Sequence, residues 1–280
     1  MTARLFLRMM EILTIYSRRK KVLWMTMQKN QRPIGVFDSG VGGISVLREL
    51  RRALPHERFI YYGDGINAPY GVKTTEEVIA LSKAAAEYLL SFDVKAIVIA
   101  CNTATAASHA ALSACCPVPV IGIEPAVALA NTLRKDGKVL AMATPGTIKS
   151  ERFANILREH GKFCIPMPCG GLMEFVERGE VDSPALHQYF DELLKDLRDE
   201  KIDVAVMGCT HYPFVKEALS KHLPEGALFV DGSMKTLQQL KEALDKENLF
   251  ADDTCEGGFE LYSSAGEESI RLMQMLLEMP

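Results

Sequence analysis

The sequence has no large excess of either charge. Its 32 Lys and Arg against 36 Asp and Glu leave a net charge of −4. A nucleic-acid-binding surface normally leaves a basic footprint, and none is present. The chain also has no long apolar run free of charges. The first 30 residues come nearest, but Arg8 and Glu11 interrupt them. That stretch is too short and too charged to span a membrane, and it has no small-residue cleavage site. No C-x-x-C pair occurs, and no second histidine cluster joins Cys209 and His211. A tetrahedral metal site is therefore not completed. The seven cysteines are odd in number and lack the regular spacing of a secreted scaffold. They point to a reducing compartment, the cytoplasm. Finally, "DSGVGGISVL" has Ser45 where a dinucleotide fingerprint needs its third glycine, which disfavours a nicotinamide site.

What remains is ordinary globular material. The 280 residues are 48% hydrophobic and 24% charged, enough for one large or two small domains. Residues 1–32 stand apart as an N-terminal extension, disordered or helical. It reads either as an amphipathic helix with a basic end at Arg18, Arg19, Lys20 and Lys21, or as a leader upstream of a start at Met25 or Met27.

From Pro33 onward, short apolar runs alternate with helical spacing: "PIGVFD", "RFIYYGD", "KAIVIAC", "PVPVIGI", then "GKVLAMAT", "FCIPMPC", "IDVAVMGC", "ALFVDG" and "GGFELYSSA". "TTEEVIALSK" opens with a capping threonine and early glutamates. "PGT" reads as a turn, "IKSERFANILREH" as one helix, and "THYPFVKEALSKHL" as another. Continuous apolar strands between helices predict an α/β fold with mainly parallel sheets. The pattern then restarts. Asp38 and Thr144 each end the first strand of a block, and Cys101 and Cys209 each end a later one. This predicts two similar α/β domains with the active site in the cleft between them. The first spans residues 33–126 plus 235–280, and the second 127–234. In open α/β sheets ligands bind beyond the carboxyl ends of strands, which would place both cysteines in that cleft.

Each residue also has a plainer reading. A strand-end cysteine is more often a small core hydrophobe. His211 can be a satisfied structural histidine, and Glu177 a solvated helix residue. Cys115, Cys116 and Cys164 read as core or incidental thiols. Against this, Cys101 is followed by Asn102 and Thr103, and Cys209 by Thr210 and His211, at matching places. Two opposed thiols can remove a proton from one face of a carbon acid and return one to the other. Asp38 would serve one thiol, and His211 with Glu177 the other. The glycines of "SGVGG" would let backbone N–H groups approach a small anion.

The phrases "VFDSGVGGISV", "YYGDGINAPYG", "ACNTATA", "ATPGT" and "GCTHYP", in that order, resemble the cofactor-independent glutamate racemases of the aspartate/glutamate racemase superfamily. The resemblance implies interconversion of L- and D-glutamate, supplying D-glutamate for peptidoglycan, with neither metal nor pyridoxal cofactor. It implies Cys101 and Cys209 as acid/base thiols, supported by Asp38, His211 and Glu177. It places Asp38, Ser39, Pro69, Tyr70, Gly71, Asn102, Thr103, Thr144, Thr147 and Thr210 at the substrate. The segment "CGGLMEFVERG" around Glu177 departs from the family's wording. Glutamate is the implied small-molecule partner and a homodimer the implied assembly, with no membrane or direct nucleic-acid partner. A racemase of aspartate or another amino acid, and a non-catalytic binding or regulatory protein, are the competing readings.

Overall fold

The computed structural model describes residues 29–279. The helix or leader expected before residue 29 lies outside the described residues. A 3-10 turn at Lys29–Gln31 leads into the first strand.

The elements alternate as the apolar runs predict. They are β1 (Ile34–Asp38), α1 (Ile44–Ala53), β2 (Arg58–Gly63), α2 (Thr75–Leu90), β3 (Ala96–Ile99), α3 (Asn102–Cys115), β4 (Val120–Gly122) and α4 (Val127–Leu133). There follow β5 (Lys138–Ala143), α5 (Pro145–Lys149), α6 (Glu151–His160), β6 (Cys164–Pro168), α7 (Leu172–Glu177), α8 (Pro184–Leu193), β7 (Ile202–Met207) and α9 (Lys216–Ser220). The chain closes with β8 (Leu228–Val230), α10 (Ser233–Lys246), β9 (Gly258–Ser263) and α11 (Glu267–Glu278).

Two sheets form, with orders β4-β3-β1-β2-β9 and β6-β5-β7-β8. Every pairing is parallel. Counted from its own first strand, each half has the same spatial order: fourth, third, first, second. The first sheet then gains β9 from the C-terminal segment. The halves are thus two copies of one topology, as the restart in the sequence suggests.

Strands covered on both faces must be apolar throughout. All five residues of β1 and all four of β3 are buried. One apolar cluster joins the halves: Ile34, Leu47 and Val98 belong to it, together with Leu140, Met142, Tyr212, Leu240 and Met273. Separate clusters fill the other faces, under α2 and α3 on the first sheet and under α4 and α6 on the second. Truncating a fully buried leucine such as Leu47 to alanine would cost about 2–5 kcal/mol.

Three local expectations change. "PGT" is not a free turn but the first turn of α5, with Pro145 at the helix start where its missing N–H costs nothing. The helix expected across "IKSERFANILREH" breaks at Ser150. Its hydroxyl accepts the Phe153 N–H at 3.1 Å, so it caps α6 rather than continuing α5. After Cys209 a 3-10 turn at Tyr212–Val215 precedes the short α9, with Pro213 placed where an interior helical hydrogen bond would be lost. The capping box at Thr74 and Glu77 forms as the sequence predicts. All seven cysteines are free thiols; Cys115 is exposed, and Cys116 and Cys164 are only half-buried, so these three are not core residues.

At the amino ends of the first sheet's strands, Lys95 Nζ lies 2.6 Å from Glu57 Oε2 with both side chains buried. Lys95 also donates to the carbonyls of Asn30 and Leu249. The pair fastens the chain before β1 and the end of the α10 segment to one edge. The opposite edge, at the strand carboxyl ends, is left for chemistry. Among the described residues, no helix is long and apolar enough to cross a membrane.

Candidate active site

Cys101 and Cys209 each sit two residues beyond the end of a strand, β3 and β7. Each of those strands pairs directly with the first strand of its own half. Both thiols are buried, at 6% and 7% exposed. Their surroundings differ.

Beside Cys209, the thiol sulfur lies 3.6 Å from His211 Nδ1. The other ring nitrogen, Nε2, donates to Glu177 Oε1 at 2.8 Å. Burial alone would lower the His211 pKa. The hydrogen bonds to Cys209 and Glu177, with their negative charges, outweigh it and raise the pKa well above the ordinary 6.5. Burial works to raise Glu177, but the His211 hydrogen bond and charge and the Val41 N–H hold its carboxyl below the usual value. The structure therefore makes a sulfur–imidazolium–carboxylate row, in which a buried cation faces the sulfur. Glu177 is not a solvated helix residue.

Among the described residues, no such cation stands beside Cys101. The thiol donates to Ser39 Oγ at 3.6 Å, and as the cap of α3 it accepts the Ala104 N–H at 3.4 Å. Burial, then the charge of Asp38, push Cys101 from 9.0 up to about 12; the Ala104 N–H and Ser39 oppose this. Asp38 does not hydrogen-bond this thiol among the described residues. Its carboxylate accepts N–H groups of Gly40 and Gly43, each at 3.1 Å, and the Thr210 hydroxyl at 3.2 Å. Burial raises Asp38 above the ordinary 3.8 against the pull of His211 and those two N–H groups.

The glycine turn after β1 does hold anions, but they are the protein's own. Gly40 and Gly43 hold Asp38, and the Val41 N–H donates to Glu177 Oε1 at 3.0 Å. The expectation that these N–H groups await an external carboxylate is corrected accordingly. The glycines serve close approach instead. A Cβ on Gly40 would lie 2.1 Å from Glu177 Oε1, and one on Gly42 would lie 2.3 Å from His211 Nδ1. The two halves meet here without room for a methyl group. Ser45 adds a bond across the same seam, donating to the Thr210 carbonyl at 2.8 Å.

On the Cys101 side the seam is made of hydroxyls. Thr103 Oγ1 lies 3.1 Å from Thr144 Oγ1 and 3.3 Å from Thr147 Oγ1, and Thr144 donates to Thr147 at 3.0 Å. Asn102 is buried, and its side-chain oxygen has no hydrogen-bond partner among the described residues. Pro69, Tyr70 and Gly71 form a loop after a cis Ala68–Pro69 bond. A groove of about 980 Å³ opens beside them, lined by Tyr70, Gly71, Thr103, Gly146 and Lys149 among others. All fourteen residues singled out from the sequence thus sit at the carboxyl edges of the two sheets or on the loops and helices that meet there. Sequence reasoning missed Ser45, Tyr61, whose hydroxyl donates to the Gly40 carbonyl at 2.7 Å, and Asp64. Asp64 follows β2 at once, the same strand-end signal that marked Asp38.

Comparison with known proteins gives a consistent picture. The family described as Asp/Glu/Hydantoin racemase matches residues 34–240. A protein of Clostridium botulinum (strain Alaska E43 / Type E3) named glutamate racemase is 43% identical over 256 residues, 90% of this chain and 99% of its own. The crystal structure of glutamate racemase from Francisella tularensis subsp. tularensis SCHU S4 in complex with D-glutamate is similar with a TM-score of 0.76 and 30% identity, covering 89% of this chain and 95% of that one. The Escherichia coli glutamate racemase, in complex with L-glutamate and the activator UDP-MurNAc-ala, gives 0.77 and 27%, covering 88% and 94%.

Proposed function

The chain belongs to the Asp/Glu/Hydantoin racemase family, and from that premise we propose that it interconverts L-glutamate and D-glutamate with its two buried thiols. The observation that carries this reading is the pair of cysteines at equivalent strand ends of two sheets with one topology. The names of the relatives point to glutamate as the substrate.

In this reading the substrate lies between the thiols, its α-carbon facing sulfur on both sides. The Cys209 thiolate, held by the His211 imidazolium, removes the α-proton when that hydrogen faces it. The carbanion formed is returned a proton on its other face by the Cys101 thiol. The stereocentre is inverted, and the enzyme is left with a Cys209 thiol and a Cys101 thiolate. A substrate of the opposite hand runs the same steps backwards. Cys101 must then ionise against burial and the charge of Asp38. The α-ammonium of the bound amino acid is a cation that can offset both. An α-proton is a very weak acid, so the groups that stabilise the developing charge must be fixed beforehand in a site closed to water. The Asn102 amide, the Thr103–Thr144–Thr147 hydroxyls, Ser39, Thr210 and the Pro69–Gly71 loop supply neutral donors and walls for the two carboxylates.

The frame of this reading has domains of 33–126 with 235–280, and of 127–234, with the substrate between them. The D-glutamate formed would supply peptidoglycan. A cytoplasmic homodimer completes the reading, the location resting on the free thiols and the dimer on family resemblance. The test is an assay of both glutamate enantiomers and both aspartate enantiomers. Racemisation of glutamate with little on aspartate is expected. Exclusive action on aspartate, or binding of glutamate without loss of its α-proton, would overturn the proposal.

A further inference from the structure

Asp64 is a buried carboxylate to which the steps above give no part. It directly follows β2, at 4% exposed, and receives an unusual number of hydrogen bonds. Oδ2 accepts the Tyr70 hydroxyl at 2.7 Å and the Asn67 amide at 3.0 Å. Oδ1 accepts the Ser264 hydroxyl at 2.9 Å, the same Asn67 amide at 3.1 Å and, more distantly, the Tyr62 hydroxyl at 3.5 Å. Among the described residues these partners are two phenols, an amide and an alcohol, so the carboxylate is solvated by neutral donors. Its main chain is fixed too: the Asp64 N–H donates to the Asp38 carbonyl at 3.0 Å, and the Asn67 N–H donates to the Asp64 carbonyl at 3.0 Å.

The donors come from both ends of the loop that carries Pro69, Tyr70 and Gly71, and from the segment after β9. Ser264 also accepts the Ile66 N–H at 3.0 Å, and its own N–H donates to the Gly63 carbonyl at 3.0 Å. The loop is therefore strung between Asp64 and the C-terminal segment. Its far side meets the second half of the molecule. A Cβ on Gly71 would lie 3.2 Å from Thr144 Cβ, and one on Gly146 would lie 2.7 Å from the Gly71 carbonyl oxygen. Tyr70 is 1% exposed and belongs to the same buried cluster as Cys101.

We infer that Asp64 is a positioning residue for the reaction: through Tyr70 and Asn67 it holds the Pro69–Gly71 loop as a fixed wall beside Cys101 and against Thr144. The inference rests on the racemase reading of the site. A carboxylate suits the task because it offers two acceptors and no donor. An amide at the same place would turn an N–H group toward one of the hydroxyls and leave that donor unpaired. Asp64→Asn therefore removes the restraint at almost no change of volume.

Because the loop borders the substrate before and during proton transfer, its release weakens binding of ground and transition states alike. The loss then falls in KM more than in kcat. Asp64→Asn is expected to raise KM for glutamate about tenfold to a hundredfold, with kcat changed only a few-fold. Since Asp64 acts through Tyr70, its effect is not additive with that of Tyr70→Phe, and the double variant is no worse than the poorer single one. If Asp64→Asn does not fold, Ser264→Ala removes one donor from outside the site and is expected to raise KM about two- to fivefold, again sparing kcat. An Asp64→Asn or Ser264→Ala enzyme with wild-type KM overturns the inference. So does a loss in kcat alone, or one fully additive with Tyr70→Phe. Wild-type protein assayed alongside separates this from the underlying reading: an inactive wild type defeats the racemase proposal, whereas an active wild type with an unaltered Asp64→Asn variant defeats only this one.

Discussion

The Cys101 and Cys209 sides share a topology and differ in charge. Cys209 faces a buried imidazolium backed by a carboxylate. Cys101 faces a serine hydroxyl, a helix N–H and the field of Asp38, and is pushed up to about 12. The same strand end thus has a buried histidine–carboxylate pair beside its thiol in one half and only neutral donors and a buried carboxylate near its thiol in the other. A two-base reaction needs that difference at every moment, since one sulfur must be bare while its opposite carries the proton. In the proposed reaction each turnover would exchange the two roles.

The bluntest way to break the comparison is to remove either sulfur. Cys101→Ala and Cys209→Ala are each expected to lower racemisation on the order of 10³-fold or more, measured as decay of optical rotation. If either variant keeps wild-type activity, the pairing is wrong. His211→Asn removes the cation from one side only, and a loss of about a hundredfold is expected. The enantiomers have equal free energy in solution, so kcat/KM must fall equally in both directions. The bias appears only in kcat, which falls further when Cys209 is the base. A loss with no directional bias in kcat would put His211 outside the row.

The seams can be compared in the same way. A Gly42 methyl would stand 2.3 Å from His211 Nδ1, whereas a Gly71 methyl would stand 3.2 Å from Thr144 Cβ. Gly42→Ala is therefore expected to cost tens-fold in kcat, since about 1 Å of misplacement can cost 10²-fold. Gly71→Ala should cost only a few-fold, because Thr144 needs to give way by only a few tenths of an ångström. Steady-state kinetics of the two variants checks the order, and a larger loss for Gly71→Ala would reverse it. The smallest effect is on stability. Cys101 has its folded-state pKa raised from 9.0 to about 12. The stability this represents is fully present below pH 9 and is lost as pH rises toward 12. It amounts to a few kcal/mol at most. Thermal unfolding followed between pH 8 and 11 should show a shallower alkaline decline for Cys101→Ala than for wild type. Equal slopes would mean that the Cys101 thiol is not so perturbed.

Much of this was legible in the chain because parallel strands announce themselves as apolar runs, and the polar residues that end them are then conspicuous. Asp38, Cys101, Thr144 and Cys209 were all found in that way. The presence of two similar halves follows from the restart near Gly137, while their shared strand order is seen only in the structure. What was not legible depended on how helices pack. Glu177 meets His211 across 34 residues only because α7 lies against the turn after β7. The grouping of His211 with Glu177 is within reach of the sequence, but no spacing encodes the 2.8 Å contact between them. The glycine turn has the composition of an anion site, but its occupants come from the chain itself, and one of them from the other half. Asp64 carries the same strand-end signal as Asp38, but its partners, apart from Ser264, lie in its own loop and strand, where in sequence they look like turn chemistry. The break at Ser150 leaves no mark in the sequence pattern, because a capping serine in an otherwise helical run alters no periodicity.

The central claim is that two different groups handle the proton. It is tested most directly by starting from one protiated glutamate enantiomer in deuterated water and following both enantiomers by mass or NMR at early times. The account predicts that the product carries one α-deuteron while the unreacted substrate remains protiated, because the removed proton and the delivered one reside on different sulfurs. Protiated product, or deuterium entering the unreacted substrate as fast as product forms, would show a single group working on both faces and would contradict it.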